Sequence, residues 1–225
     1  MDATIVKIGG SLALNPKALR ELCAKLSSLS KKHRLVVVPG GGEFADVVRN
    51  TDDRFKLSPA ISHRMAILGM DQYGFLLSDL TPNSCVINKV ENLQQALDTG
   101  MLPVFLPSNF LFSEDLLENS WDVTSDSIAV YIAGQLRVAK AILVTDVDGV
   151  YTSDPKKYSD ATLINKLSAH ELLRMNKRTS VDKFLPKLLL QLKIQCFVVN
   201  GLYSERVEAI LEDKNTVCTS ISSKG

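Results

Sequence analysis

Short apolar runs alternate along this chain with stretches whose apolar residues recur every three to four positions. Leu35-Val36-Val37-Val38 has no polar alternation, so it predicts a strand buried on both faces. Ala18, Leu19, Leu22, Leu26 and Leu29 predict a helix, opened by Asn15 as N-cap and Pro16 in the first turn. Phe44, Val47 and Val48 begin the next helix, and Ile61, Met65, Leu68, Gly69, Tyr73, Leu76 and Leu77 mark another. Cys85–Val90 and Leu102–Leu106 predict strands, separated by a short helix over Leu93–Leu97 that stops at Gly100. Ser125–Leu136 predicts a helix, and Ala141–Val147 a buried strand running into Asp148-Gly149. Ser168 and Glu171 form a capping box, Asp182 and Ser204 are placed to cap helices, and Pro186 falls in a first turn. Cys196–Val199 is a strand closed by Asn200-Gly201, and Thr216–Ile221 predicts a last strand at an edge. This alternation predicts an α/β fold: a mostly parallel sheet with helices on both faces.

Composition narrows the field. With 45% hydrophobic and 23% charged residues, the 225-residue chain has the make-up of a globular protein. A net charge of +1, with no basic run interleaved with aromatics, gives no reason to expect nucleic acid. No apolar stretch approaches a membrane span, and a strand begins within a few residues of Met1, so neither a membrane nor a signal peptide is expected. Cys23, Cys85, Cys196 and Cys218 are scattered, and His33, His63 and His170 lack ligand spacing. No dedicated metal cage is predicted, and reduced thiols in cytoplasm are. His63 is expected on a helix surface, with contact to a bound phosphate as the alternative.

The chemistry concentrates in turns. Thr4–Ile8 delivers the backbone into Gly9-Gly10-Ser11, and Leu35–Val38 delivers it into Pro39-Gly40-Gly41-Gly42. Glycines let backbone N–H groups approach an anion, and a following helix adds the positive end of its dipole. Two such turns suit two phosphate-bearing groups held side by side; the alternative is a pair of tight turns with no ligand. Lys7 precedes the first turn by two residues, within reach of a phosphate held there. The pattern is neither a P-loop nor a dinucleotide fingerprint, since Gly-x-x-x-x-Gly-Lys-Ser/Thr and Gly-x-Gly-x-x-Gly are both absent. Thr145-Asp146-Val147-Asp148-Gly149-Val150-Tyr151, followed by Asp154-Pro155-Lys156, suits a nucleotide loop, with Tyr151 as a wall and Lys156 for phosphate. A calcium loop is the competing reading, without EF-hand spacing.

These segments, with Asp126-Ser127-Ile128-Ala129 between them, occur in an order that resembles the amino acid kinase family across nearly the whole chain. The resemblance implies one domain over residues 1–225, a three-layer αβα sandwich. Residues 1–120 would bind the phosphoryl acceptor and 121–225 ATP with magnesium. It implies Lys7, Asp126 and Lys187 as catalytic residues, with Lys183 as an alternative to Lys187. It assigns Gly9, Gly10, Ser11, Thr145, Asp146, Gly149, Tyr151, Pro155 and Lys156 to the nucleotide and its transferring phosphoryl, and Gly41 and Gly42 to the acceptor's anionic end. A cytoplasmic homo-oligomer with a small phosphorylated substrate is also implied. Two departures stand out: Ser180-Val181-Asp182 replaces a Gly-Gly-Met turn, and Cys218-Thr219-Ser220-Ile221 replaces a Gly-Thr-x-Ile strand.

Within the family, Ser120–Ser127 and Ala66–Gly74 are similar to a small group of methanofuran-biosynthesis kinases, which convert an aromatic aminomethyl phosphate monoester to a diphosphate. Such an acceptor needs a flat wall and an acid. Trp121 and Tyr73 would supply the wall, and Asp71 or Asp122 the acid. Core packing is the alternative for Trp121. The competing functions are an acyl-phosphate-forming kinase and a non-catalytic nucleotide or oxyanion binder.

Overall fold

A computed structural model of the chain describes residues 2–114, 117–175 and 179–223. Strand β1 (Thr4–Ile8) leads through α1 (Pro16–Leu29) to β2 (Leu35–Pro39). Next come α2 (Gly42–Phe55) and the long α3 (Pro59–Leu80). Strand β3 (Ser84–Ile87), α4 (Leu93–Asp98), β4 (Leu102–Phe105) and α5 (Ser108–Glu114) follow. The second half holds α6 (Ser125–Gln135), β5 (Lys140–Thr145), the β6–β7 hairpin (Val150–Tyr151, Leu163–Ile164) and β8 (Lys166–Ser168). It closes with α7 (Ala169–Met175), α8 (Leu185–Leu192), β9 (Gln195–Asn200), α9 (Glu205–Leu211) and β10 (Thr219–Ser222).

Among the described residues, eight strands form one sheet in the order β3-β4-β2-β1-β5-β9-β10-β8. All neighbours run parallel except β9 and β10. Alternation along the strands sends side chains to two cores, one on each face. Ile5, Val36 and Val38 join Ile128 and Ala129 of α6 and Leu185 and Leu189 of α8 in one core. Val6, Ile8, Leu35 and Val37 join Leu22 and Leu26 of α1 and Val207 and Ile210 of α9 in the other. The result is the three-layer αβα sandwich expected. The same alternation puts Lys7 on the face of Ile5, toward α6, at the end of a central strand.

The structure adjusts several expectations. The last strand spans Thr219–Ser222 and lies inside the sheet, pairing with both β9 and β8. Its outer neighbour is Lys-Leu-Ser, too short and polar to announce itself as a strand and suited to an edge. Strand β5 stops at Thr145, which leaves Asp146 and Val147 in the loop beyond it. Ser204 occupies the N-cap position of α9 without a side-chain capping bond. The Asn15 cap holds, with Asn15 Oδ1 accepting from Ala18 N at 3.2 Å. So does the capping box, in which Ser168 N donates to Glu171 Oε2 at 2.6 Å and Glu171 N to Ser168 Oγ at 3.2 Å.

Candidate active site

Strands β2, β1 and β5 are parallel neighbours, so their C-terminal ends open on one edge of the sheet, where α/β folds bind ligands. The turns leaving them are tied to adjacent strands. Gly9 N donates to Val144 O at 2.7 Å, and Gly40 N to Ile8 O at 2.8 Å. The two glycine turns pack backbone against backbone: a Cβ on Gly10 would lie 2.1 Å from both N and Cα of Gly42. Gly42 itself opens α2 with φ +56°. Gly10 has no room for a Cβ, and Gly42 takes a left-handed φ that favours glycine.

Lys7 Nζ forms an ion pair with Asp126 Oδ1 at 2.6 Å, and both side chains are about nine-tenths buried. Asp126 lies in the first turn of α6. The start of α6 is fixed by Asp182, whose carboxylate accepts from Thr124 N and Oγ1, Ser127 N and Oγ, and Leu185 N at 2.5–3.0 Å. One buried carboxylate thus satisfies the N-terminal turns of both α6 and α8, a larger role than the single cap expected. Burial and the Asp126 charge push the Asp182 carboxyl up, against the pull of these donors. Under the pair, burial and the same Asp126 charge push the Cys196 thiol up, so it is inert.

Lys7 lines a cleft of about 330 Å³, together with Gly9, Gly10, Ser11, Gly41 and Gly42. That is the lower end of the range for small-molecule sites. Its far wall is Trp121, held by two residues of α2. Trp121 Nε1 donates to Asp52 Oδ2 at 2.9 Å, and the Arg49 guanidinium lies 4.8 Å from the ring centroid. That bond is the main cause holding the Asp52 carboxyl below its usual range. Arg49 also pairs with Asp46 at 2.9 Å. Glu43, Asp46, Ile67 and Met70 complete this side, and His63 lines it too, where a plain helix surface was expected.

A second cavity of about 490 Å³ adjoins the first, sharing Thr145 and Ser180 with it. Asp146, Tyr151, Pro155 and Lys156 line it as the sequence suggested. Asp146 sits at its mouth, accepting from Ser11 Oγ at 3.0 Å and pairing with Lys156 Nζ at 2.5 Å. Burial raises its pKa, but the bonds from Lys156 and Ser11 and the Lys156 charge outweigh that and leave it below the ordinary range. The Ser180 hydroxyl, at the boundary of the two cavities, is buried and has no hydrogen-bond partner among the described residues.

Other expected site residues stand elsewhere. Asp71 does not line the cleft; its carboxylate accepts from Ser108 N at 3.2 Å and from Ser108 Oγ, at the start of α5. Asp122 is exposed, pairs with Lys183 at 3.5 Å, and lines a separate cavity with Lys187. Lys187 is exposed, its ammonium 5.4 Å from the Phe184 ring centroid, and the structure does not bring it to Lys7. Tyr73 is buried behind the turns, its hydroxyl donating to Gly9 O at 3.3 Å, so it supports the cradle instead of walling the acceptor. Gly149 faces β10, where a Cβ would lie 2.3 Å from Thr219 Oγ1. That hydroxyl accepts from Val150 N and donates to Ile164 O, both at 2.7 Å, so Gly149 shapes the loop from behind. Asp46, Arg49 and Asp52 were missed. Their i, i+3, i+6 spacing, starting one turn after Gly42, puts them on one side of α2 and was the available signal.

The sequence profile of the amino acid kinase family matches residues 2–200. The chain belongs to the amino acid kinase family. It is 38% identical over 217 residues to the [5-(aminomethyl)furan-3-yl]methyl phosphate kinase of Methanocaldococcus jannaschii, covering 96% of each chain. It is 28% identical over 222 residues to the uridylate kinase of Methanobrevibacter smithii, covering 90% of this chain and 92% of that one. The crystal structure of uridylate kinase from Archaeoglobus fulgidus superposes with a TM-score of 0.78 at 21% identity, covering 98% of this chain and all of that one. An isopentenyl phosphate kinase substrate complex gives 0.67 at 23% identity, over 98% and 100%. Both are likenesses of fold. The amino acid kinases are phosphotransferases, so this chain is one as well.

Proposed function

We propose that this amino acid kinase transfers the γ-phosphoryl group of ATP to a small phosphate monoester of the [5-(aminomethyl)furan-3-yl]methyl phosphate type, yielding ADP and a diphosphate. The observation that carries the proposal is the junction itself. A buried Lys7–Asp126 pair stands beside two interlocked glycine turns, and the cleft they line shares Thr145 and Ser180 with a second cavity. The acceptor's anionic end belongs at Gly41 and Gly42, on the N-terminus of α2, and its ring in the cleft walled by Trp121. ATP belongs along Thr145–Lys156, with its γ-phosphate toward Gly9, Gly10 and Ser11.

In the reaction an acceptor phosphate oxygen attacks the γ-phosphorus while the bond to the β-phosphate oxygen breaks. The acceptor oxygen is already anionic at neutral pH, so no general base is required. Charge on the equatorial oxygens has to be met, and Lys7 meets it from a position fixed by Asp126. The Ser180 hydroxyl offers a further donor at the crossing point. Lys187, in a separate cavity, would have to swing inward to take part in the transfer. Among the described residues no group of three His, Cys, Asp or Glu is placed to hold a metal. Mg²⁺ keeps waters and substrate phosphates as ligands and needs one or two carboxylates, and Asp146, beside the proposed phosphate site, is the carboxylate available. Asp146 would hold the ion, which would supply positive charge to the phosphates during transfer.

The cytoplasm is the proposed setting; the described cysteines are all free. No helix among the described residues is long and apolar enough to cross a membrane. A second copy belongs to the same proposal. Ile61, Leu68 and Phe75 recur every seven residues on α3 and are 49%, 45% and 58% exposed, an apolar stripe suited to a homo-oligomer. Sedimentation of wild type and Leu68→Glu tests it, with the variant expected to shift to monomer.

The function is tested with purified enzyme, ATP and a panel of acceptors: the aminomethylfuran methyl phosphate, isopentenyl phosphate, uridylate, aspartate and acetylglutamate. Fastest turnover is expected with the first. Faster turnover of an amino acid, trapped by hydroxylamine as the hydroxamate, would overturn the phosphate acceptor. Absence of transfer to every acceptor would favour a binding protein.

A further inference from the structure

The acids first expected to meet the acceptor amine, Asp71 and Asp122, lie outside the cleft, so the amine has to be recognised by another group. The cleft has acids of its own. Glu43 and Asp46 both line it, from the first and second turns of α2. We propose that Asp46 is the specificity-determining residue of the acceptor site and selects substrates that carry a cationic amine; this rests on the phosphate-monoester reading above.

Three observations converge on Asp46. The first is distance along the helix. With the acceptor phosphate at Gly42, Asp46 lies about 6 Å further along α2, at ~1.5 Å per residue. A five-membered ring with a phosphomethyl group on one side and an aminomethyl group on the other spans between one and two helical turns, which brings its ammonium to Asp46. Glu43 sits beside the phosphate end instead, where a second negative charge is of no use to an amine held at the far end.

The second observation is the way the acid is held. Arg49 Nη1 donates to Asp46 Oδ1 at 2.9 Å, and Arg49 itself is stacked over Trp121. Trp121 is in turn fixed by Asp52. The carboxylate is therefore attached to the wall that meets the ring. A carboxylate accepts on two oxygens, and Arg49 engages only one of them in this arrangement. An ammonium donating to Asp46 completes a charge-assisted bond without breaking the Arg49 contact.

The third observation is exclusion. Asp52, a further acid of α2, accepts from Trp121 on Oδ2 and from Leu57 N on Oδ1, so its role is to position the wall. Asp46 also works against the wrong acceptor. Asp46 is already paired with Arg49 and its side chain is 63% exposed, so the selection comes from the added attraction to a cationic amine, which a neutral group forgoes and an anionic group turns into repulsion. A pyrimidine nucleotide or an isoprenoid phosphate brings no cation to this point.

Calorimetric titration without ATP tests the assignment independently of turnover. Three ligands are compared: the aminomethyl acceptor, its hydroxymethyl analogue and its methyl analogue, each as the phosphate monoester. The wild-type protein is expected to prefer the amine over both analogues by roughly tenfold to a hundredfold, the worth of one charge-assisted bond. Asp46→Asn is expected to collapse that preference to within about threefold, chiefly through weaker binding of the amine. Glu43→Gln is expected to keep the wild-type preference. In turnover assays the loss should appear in acceptor KM more than in kcat. If Asp46→Asn retains the wild-type preference, or Glu43→Gln abolishes it instead, the assignment to Asp46 is overturned. If the wild type binds all three ligands alike, amine selection itself is wrong while phosphate-monoester chemistry stands. If it binds none of the three, the phosphate-monoester reading fails before Asp46 is in question.

Discussion

The two sides of the cleft are built differently. The proposed acceptor side rests on regular elements: two glycine turns locked backbone to backbone, the N-terminus of α2, and Trp121 pinned by Asp52 and Arg49. The proposed nucleotide side is a loop. Residues 154–160 are all exposed, and Lys156 reaches Asp146 across open surface with a side chain 64% exposed. The first is a fixed mould that would discriminate among acceptors, because its walls are braced by these contacts. The second offers backbone and a few charges that settle around a ligand common to many kinases, where adaptability costs little selectivity.

The largest effect that distinguishes the two should come from the mould. Gly10→Val forces a side chain into a space 2.1 Å from the Gly42 backbone, so the turns must separate. Loss of the folded protein, or of all acceptor binding, is expected by circular dichroism and titration. Normal stability with wild-type acceptor affinity would show that the turns are not interlocked. A matching insertion in the loop, Ser153→Val, should leave stability within about 0.5 kcal/mol.

Next in size is Lys7→Ala, at the boundary between the sides. Turnover is expected to fall about 10²- to 10³-fold, the usual loss for one donor aimed at transition-state charge. The buried Asp126 left without its partner should also lower the melting temperature. Steady-state kinetics at wild-type rate in a folded variant would remove Lys7 from the chemistry.

Asp182→Ala tests whether α6 and α8 are held as one unit. Five donors lose their acceptor, including the N-terminal turns of both helices. A loss of about 2–4 kcal/mol in urea unfolding is expected. A loss below about 1 kcal/mol would show that water or the helix dipoles suffice there.

These differences also set what was legible in the sequence. Alternation and periodicity gave the sheet and the helices, because burial on two sides forces regular patterns. The glycine turns were legible because backbone contact demands glycine. Asp71, Asp122 and Tyr73 were misplaced for a different reason. Their assignment depended on which side of a helix or loop faces the cleft, and that is set by tertiary packing. The capture of Asp71 by Ser108, and of Asp122 by Lys183, involves partners 37 and 61 residues away in sequence. Asp46 and Arg49 were hidden because an i, i+3 charge pair on a helix looks like an ordinary solvated face. Strand β8 was hidden because three residues carry no period.

A smaller effect belongs to the loop side. Asp146 has a pKa depressed below the ordinary carboxylate value by Lys156 and Ser11. A depressed carboxyl stabilises the folded loop above its unfolded pKa, and that contribution is lost as pH falls through the folded value. Affinity for an ATP analogue should therefore stay flat from neutral pH down through the ordinary carboxylate range and decline only below it. Asp146→Asn should abolish that acid limb. A decline already centred above the ordinary carboxylate range would mean that another group governs the loop.

The central claim is that acceptor and nucleotide occupy opposite sides of the Lys7–Asp126 pair. Paired titrations of Trp121→Ala and Lys156→Ala, each with a non-hydrolysable ATP analogue and with the acceptor, test it most directly. Trp121→Ala should weaken the acceptor about tenfold and leave the analogue unchanged, since loss of a stacking wall is worth ~1–1.5 kcal/mol. Lys156→Ala should do the reverse. Equal weakening of both ligands by either substitution, or an exchange of the two patterns, would contradict the division.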